Sequence, residues 1–298
     1  MRRFRTMFGD FDTRCYSLEP PLDSWDEAVK KLHIANQTNA IEGLRYEYGA
    51  RDLQRKIEDF VAIGPKPFSV QSYHNVFCDQ VRRAFVEGAY FPALVAACAL
   101  GERILNHLVL DLRDDYTHTP EHEPVATAVN FSSWRQMATA LTAWGVIDAG
   151  ISNLFQALSK LRHRSIHFSP VTYASARDDA LSAIKILREI LDKQFSAFGP
   201  QRWYIPGTLG ACFVAKAFEQ DPFVKKFVIP SAVYVGPLHN IDITPLGAWN
   251  FVDWPPEVYG DLEITDEQFK TVFNTREPNS LVSLDGPHVP ATILGPED

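Results

Sequence analysis

Residues 92–112 read PALVAACALGERILNHLVLDL, and this stretch decides the fold of the middle of the chain. Its apolar side chains recur at steps of three and four residues, which is the spacing of one face of an α-helix. Pro92 fits the first turn of such a helix, where a missing amide hydrogen is tolerated. The pattern predicts a long helix with one face in a core. That face comprises Leu94, Val95, Cys98, Leu105, Val109 and Leu112.

Similar periodic segments flank this helix on both sides. They predict helices over 70–87, from Ser133 to about Trp144, from Asp148 to around the run of Arg162 and His167, and over 175–197. Ser133-Trp-Arg-Gln136 has the form of a capping box. Upstream, Ser24 is the expected N-cap of a short helix, a second helix covers 50–63, and Gly-Pro-Lys-Pro at 64–67 ends it. Four or five helices joined by short loops predict a mainly α fold, a helical bundle.

The last third of the chain has a different composition. Residues 201–298 contain six basic and thirteen acidic residues, a net charge of −7, and eleven of the twenty prolines. Short aromatic or β-branched runs predict strands at 202–205, 227–229, 232–235 and 249–252, and helices are expected at 209–219 and after Thr265. We therefore predict three parts: an N-terminal helical extension (1–68), the bundle (69–199) and a small acidic α+β module (200–298) that ends in a loose tail from residue 279.

Composition excludes several classes of protein. The net charge of −8 and the isoelectric point near 5.6 are not those of a general nucleic-acid binder, so any contact with RNA must be local. The sequence has no Gly-rich nucleotide-binding motif and no hydrolase nucleophile elbow. No apolar run follows the basic N-terminus, and the four cysteines are far apart in sequence. We expect a cytoplasmic protein without disulfides, membrane spans or cofactors.

Two charged residues lie on apolar helical faces. Arg162 follows Phe155 by seven positions and Ile151 by eleven, and both separations return to nearly the same direction on a helix. Glu102 lies in the same way between Cys98 and the apolar residues that follow. Each charge is costly to bury alone, so we predict that Glu102 pairs with Arg162. One interpretation of such a pair is purely structural, a buried salt bridge that fixes the register of two helices.

The second interpretation adds His167, in the run LSKLRHRSIHF at 158–168. An arginine stays charged and can stabilise the negative charge that develops on a reacting phosphate. A histidine titrates near neutrality and can take a proton from a ribose 2′-hydroxyl or protonate a departing oxygen. Arg162 and His167 could therefore cleave a phosphodiester without a metal.

A loop with two histidines is the other candidate for chemistry. His118 and His122 lie near Asp114, Asp115 and Glu123, and His and carboxylate side chains are metal ligands. Pro120 argues against a helical pair of ligands, and no further ligands are evident. We expect a solvated acidic loop and no metal.

Three segments resemble HEPN domains, closest to the bacterial type. Residues 89–105 are similar to the long helix of that family, 134–147 to its middle helix, which ends in Ala-Leu-x-x-x-Gly-x-Ile, and 161–167 to its Arg–polar–x3–His motif. The resemblance covers about 130 residues, from 70 to 198. His163 stands where the commonest pattern of the family has asparagine.

This resemblance implies a helical bundle that forms a homodimer, with the Arg and His of both protomers in one cleft. Active members cut RNA without metal and leave a 2′,3′-cyclic phosphate. Arg162 would then contact the phosphate, His167 would be the general acid or base, and Glu102 would hold the arginine. Arg164 is an alternative phosphate ligand, Lys160 and Arg164 would bind RNA, and His163, Arg164 and Ser165 would support the site.

The expected function is thus that of a toxin or phage-defence ribonuclease, whose acidic C-terminal module binds an antitoxin or other regulator or covers the cleft. Other members of the family do not catalyse. The alternative is a non-catalytic interaction or scaffold protein in which Glu102 and Arg162 are structural.

Overall fold

The structure, a computed structural model, describes residues 1–7, 10–70, 72–127, 133–166, 170–243, 249–253, 259 and 263–276. The described part is mainly α, with a small strand-containing part at the C-terminus, which confirms the predicted fold class. The chain divides into two compact units. Residues Phe8–Ser196 form a helical unit, and Met1–Met7 together with Ala197–Asp298 form a C-terminal unit.

This division differs from the predicted parts at the N-terminus. The segment 8–68, expected as a separate extension, belongs to the same compact unit as the bundle. The first seven residues belong to the C-terminal unit, because the strand Arg3–Thr6 pairs with Ala232–Val235. The boundary near residue 197 lies close to the expected one at 200.

The described part of the helical unit is built from nine α-helices and two short 3₁₀ turns. The 3₁₀ turns, Arg113–Tyr116 and Pro120–His122, lie in the segment 113–131, which the polar and Pro-containing sequence predicts as a loop but which also contains a four-residue α-helix, Glu123–Ala126. The α-helices are α1 (Arg14–Leu18), α2 (Glu27–Tyr48), α3 (Leu53–Ile63), α4 (Ser72–Val86), α5 (Tyr90–Leu112), α6 (Glu123–Ala126), α7 (Trp134–Ala143), α8 (Ala149–Ile166) and α9 (Pro170–Phe195).

Helix α5 is the centre of this unit. It packs against α4, α7, α8 and α9, and most of its apolar face is removed from water. Within the described residues, the segment 90–116 is long and apolar enough to cross a membrane by length and composition, but over half of it is buried inside the protein, and a core helix passes the same test. Its fully or almost fully buried residues include Ala93, Leu94, Ala97, Cys98, Ile104, Leu105 and Leu108.

The helix ends follow from local chemistry. Ser133 and Gln136 form the predicted capping box at the start of α7, because the Ser133 hydroxyl accepts from the amide of Gln136 and the Gln136 side chain accepts from the amide of Ser133. Asp148 caps α8 by accepting from the amide of Ile151 at 2.7 Å. Gly145 adopts φ +69° between α7 and α8, a conformation that favours glycine.

Two helix starts differ from the prediction. The N-cap of α2 is Asp26, whose carboxylate accepts from the amide of Ala28, and not Ser24, and the helix runs for 22 residues. Helix α9 begins at Pro170, five residues earlier than expected, because a proline is well suited to the first position of a helix.

The C-terminal unit contains two small antiparallel sheets. Strand β1 (Arg3–Thr6) pairs with β2 (Ala232–Val235), and β3 (Asn240–Ile243) pairs with β4 (Trp249–Val252). Helix α10 (Asp266–Thr275) begins with the predicted Thr265–Gln268 capping box. Its Phe269 and Phe273 pack edge-to-face on Phe213, which is fully buried.

Three sequence predictions for this unit are wrong. The segment expected as a strand at 202–205 contains only an isolated bridge at Tyr204, and residues 202 and 203 lie in a turn. The segment expected as a helix at 209–219 forms isolated bridges at Phe213 and Val214 and one 3₁₀ turn, Lys216–Phe218. The segment expected as a strand at 227–229 lies in a helical turn, Val224–Val228, because burial at 224, 227 and 228 follows helical spacing. The expected loose tail, 279–298, lies outside the described residues.

Candidate functional site

The site forms where α5 and α8 are in close contact. A Cβ atom on Gly101 would lie 2.4 Å from Cδ2 of Leu158 and 3.2 Å from the indole of Trp134, so only glycine fits between the two helices at this point. Because the next residue is Glu102 and the next turn after Leu158 carries Arg162, this close approach sets the distance between the two charges.

Glu102 and Arg162 form an ion pair. The guanidinium Nε of Arg162 lies 3.3 Å from Oε2 of Glu102. Glu102 is 9% exposed, whereas the Arg162 side chain is 36% exposed. The structure thus brings together the two charged residues that were predicted on apolar helix faces, and the Arg162 side chain is partly exposed to solvent.

A tryptophan that the sequence analysis did not assign to the site completes the surroundings of Glu102. The indole Nε1 of Trp134 donates a hydrogen bond to Oε1 of Glu102 at 2.9 Å. Each carboxylate oxygen therefore has its own partner, one neutral and one charged. The available signal was chemical, since a buried indole N–H needs an acceptor and Glu102 was a buried acceptor on a neighbouring helix.

Cys98 lies one turn before Glu102 on α5. Its thiol points at the carbonyl oxygen of Leu158, with 3.9 Å between Sγ and O. Burial raises the pKa of the Cys98 thiol to about 12, against the opposing effect of the Arg162 charge. The thiol is therefore protonated near neutral pH and is not a nucleophile.

The end of α8 is joined to α9 by a second ion pair. Arg164, expected as an RNA-binding residue or alternative phosphate ligand, binds Asp179 through Nη2. Asp179 is buried and also accepts a hydrogen bond from Ser175 at 3.0 Å. Arg162 and Arg164 therefore contact different helices, α5 and α9, as expected for positions about 200° apart on a helix.

The other predicted site residues surround this helix end. Ser165 is buried and donates from Oγ to the carbonyl of Arg162 at 2.9 Å, which stabilises the last turn of α8. Lys160 and His163 are exposed. His167 lies outside the described residues, directly after Ile166 in the sequence.

The structure gives no support for a metal site in the part of the chain that it describes. Those residues contain no group of three or more His, Cys, Asp or Glu side chains that could hold a metal ion. His118 and His122 are described, and they lie in the short turns after α5. The four cysteines are buried free thiols.

Three comparisons, with models of known families, with curated proteins and with solved structures, found no match to this chain.

Proposed function

We propose that this protein is a metal-independent endoribonuclease of the HEPN kind. The ribose 2′-oxygen attacks the adjacent phosphorus, and the bond from phosphorus to the 5′-oxygen breaks. The products are a 2′,3′-cyclic phosphate and a 5′-hydroxyl. One histidine accepts the proton of the 2′-hydroxyl and another donates a proton to the 5′-oxygen, so no water, metal or redox partner is consumed.

The observation that carries this proposal is the Glu102–Arg162 pair. Glu102 contacts the guanidinium at Nε, and Trp134 fixes the carboxylate from the other side. An arginine oriented in this way can place charge against a phosphate at little entropic cost, since its rotamer is already restricted. The 36% exposure of its side chain lets a substrate reach it.

The proposed roles of the neighbouring residues follow from their contacts. His167 serves as the general acid or base, with its counterpart from a second copy of the chain in a homodimer. Arg164 positions the ends of α8 and α9 through Asp179, and Ser165 supports the turn that carries Arg162. Lys160 and His163 are exposed at this helix end and contact the RNA backbone.

A ribonuclease that needs no cofactor must be controlled by other means. We propose that it acts as a toxin or phage-defence effector in the cytoplasm, restrained by an antitoxin or regulatory protein. The acidic C-terminal third, with a net charge of −7, is the proposed site of that regulation, since acidic groups compete with RNA for basic side chains.

One experiment separates this function from its alternatives. Purified wild-type protein, His167→Ala and His118→Ala are incubated with total RNA in the presence of EDTA. We expect wild type and His118→Ala to cleave and His167→Ala to be inactive. Cleavage that EDTA abolishes would contradict the proposal and point back to the loop of His118 and His122.

The second candidate function is a non-catalytic interaction protein, and one surface favours it. Helix α2 buries only Ala40, Leu44 and Tyr48 and exposes four large apolar side chains, three of which lie within about 100° of one another around the helix axis, with Ile34 on another side. Exposed apolar side chains on one face of a helix are typical of surfaces that bind other proteins. If no variant or wild-type preparation cleaves RNA, this interpretation is favoured. The exposed side chains are Val29, Leu32, Ile34 and Tyr46.

A further inference from the structure

A second buried carboxylate lies on α3, away from the pair described above. Asp59 is fully buried and accepts hydrogen bonds from three side chains on three helices. Its Oδ1 accepts from Nε and Nη2 of Arg177 at 3.0 and 2.7 Å. Its Oδ2 accepts from Nη1 of Arg55 at 2.7 Å and from the hydroxyl of Tyr90 at 2.8 Å. Both oxygens of Asp59 are therefore fully used inside the protein.

The two guanidinium groups carry one more positive charge than this carboxylate neutralises. The side chains of Arg55 and Arg177 are 36% and 42% exposed, so the excess charge lies at the surface. Asp178 is the other carboxylate near Arg177, but it is 4.0 Å from Nη1 and mostly exposed. An exposed pair at that distance contributes little energy.

Both arginines have donors that point away from Asp59. Arg55 uses Nη1 for Asp59, for the carbonyl of Val86 and for the Tyr90 hydroxyl, and the described residues provide no hydrogen-bond acceptor for its Nε or Nη2. Arg177 contacts Asp59 through Nε and Nη2 and is also hydrogen-bonded to Tyr90, and its Nη1 takes no part in the contact with Asp59.

Gly88 keeps space beside Arg55. It adopts φ +83°, and a Cβ atom there would lie 3.2–3.3 Å from Nη1, Cζ and Nη2 of Arg55. A side chain at this position would crowd the guanidinium. Both guanidinium groups are held by the same buried carboxylate, so their positions are restricted before a ligand binds, and guanidinium groups are well suited to bind phosphate.

We propose that Arg55 and Arg177 bind a phosphate group, and that this phosphate belongs to the backbone of the RNA substrate. The assignment to RNA rests on the proposed function. Helix α5 contacts both sites, because its Tyr90 binds Asp59 and its Glu102 binds Arg162, and these two residues are about 18 Å apart along the helix axis. A few nucleotides of one RNA strand can span that distance. Phosphate contacts of this kind position a nucleic acid without reading its sequence.

The test measures binding separately from cleavage. A fluorescently labelled single-stranded 2′-O-methyl RNA lacks the attacking hydroxyl, so it binds without reacting, and its anisotropy gives Kd at several salt concentrations. Arg55→Gln and Arg177→Gln are each expected to weaken binding roughly tenfold and to lower the slope of log Kd against log salt by about 0.7. The matched control is Arg51→Gln, which removes the same charge one turn earlier from a side chain that is 94% exposed. It is expected to leave Kd and slope unchanged.

Folding is controlled by the thermal midpoint of each variant and by Arg55→Lys and Arg177→Lys. The lysine variants keep the positive charge but lack the planar guanidinium group, so we expect them to bind the RNA with intermediate affinity. The inference is wrong if the site variants bind like Arg51→Gln, if wild type does not bind the oligonucleotide, or if the site takes only inorganic phosphate.

Cleavage of ordinary RNA separates the two proposals. The site variants should raise KM and leave kcat unchanged. If wild type cleaves RNA but KM and Kd are the same in all variants, the proposed function stands and this inference fails. If binding depends on Arg55 and Arg177 but no preparation cleaves RNA, the inference stands and the proposed function fails.

Discussion

The indole nitrogen of Trp134 donates a hydrogen bond to Glu102 at 2.9 Å, on the side of the carboxylate opposite to Arg162. This bond joins α7 to α5, and the ion pair of Glu102 with Arg162 joins α5 to α8, so the carboxylate connects three helices next to Gly101. Because both oxygens of the Glu102 carboxylate have partners, its orientation is fixed, and this restricts the position of the Arg162 guanidinium group. Trp134 is therefore a positioning residue in the proposed ribonuclease.

Trp134→Phe is expected to lower kcat by roughly tenfold with little change in KM, since a loss of about 1.4 kcal/mol in transition-state stabilisation corresponds to that factor. It also leaves a buried carboxylate oxygen without its donor, at a cost of ~1–3 kcal/mol in unfolding free energy. Kinetics and chemical denaturation measure the two effects.

The control for this substitution is Trp144→Phe. Trp144 is equally buried, and its indole donates to Thr119 at 2.9 Å, so its loss should lower stability in a similar way. It should not lower kcat. Equal losses of kcat in both variants would show that Trp134 acts only through stability.

Removing the two members of the ion pair should have unequal effects on stability. In Arg162→Gln, the buried Glu102 carboxylate loses its charged partner and keeps only Trp134 among the partners described. We expect the free energy of unfolding to fall by ~1–3 kcal/mol. Glu102→Gln leaves an arginine that water can solvate, so the expected cost is below about 1 kcal/mol. Urea denaturation of both variants, with exposed Arg135→Gln as the control, measures the difference. A larger cost for Glu102→Gln would contradict the assigned burial.

Gly101→Ala should destabilise the helical unit, because its Cβ would overlap Leu158 at 2.4 Å and press on Trp134. Overpacking of this kind costs ~1–3 kcal/mol. Gly43→Ala on α2 is the matched control: the nearest atom to its Cβ is 3.7 Å away, and alanine should stabilise the helix by up to about 1 kcal/mol. Thermal denaturation measures the change in stability of both variants, and we expect a lower midpoint for Gly101→Ala and a higher one for Gly43→Ala. If both substitutions had the same sign, α5 and α8 would not be in close contact at Gly101.

Buried His74 should make stability depend on pH. Burial lowers its pKa to about 3, with smaller contributions from His107 and Arg103. His74 takes up a proton near pH 6.5 in the unfolded chain but only near pH 3 in the folded chain. Its contribution to the free energy of unfolding is therefore complete above pH 6.5 and is lost as the pH falls toward 3. The expected loss from this residue is about 1.4 kcal/mol per pH unit in that window.

Denaturation of His74→Phe between pH 6.5 and 4.5 tests this. Phenylalanine keeps a ring against His107 and Phe195, and the variant should show a shallower pH dependence than wild type. His118→Gln, at an exposed position, should leave the wild-type slope unchanged. Identical slopes in wild type and His74→Phe would contradict the assigned pKa.

The sequence was sufficient to predict what depends on helical phase. Arg162 and Glu102 were each identified from their position on an apolar face, and the structure pairs them. Trp134 was not identified, because its contact depends on how closely α7 approaches α5, where a Cβ atom on Gly101 would lie 3.2 Å from the Trp134 indole. Helix periodicity gives the direction of a side chain and not the separation of helices.

Asp59 shows a second limit. The sequence predicts a helix over 50–63, and the structure has α3 there, but its buried face consists of Lys56, Asp59, Phe60 and Ile63. Apolar spacing does not indicate that face, because two of its four residues are charged and are buried with partners from other parts of the chain. The pairing of β1 with β2, more than two hundred residues apart, likewise has no local signal.

The central claim is that Arg162 and His167 cleave RNA through 2′-hydroxyl attack, with Glu102 holding the arginine. The most direct measurement is the chemistry of the RNA ends made in the presence of EDTA by wild type, Arg162→Gln and His167→Ala. We expect 2′,3′-cyclic phosphate and 5′-hydroxyl ends from wild type and no products from either variant. Ends that carry a 5′-phosphate, or undiminished cleavage by His167→Ala, would contradict it.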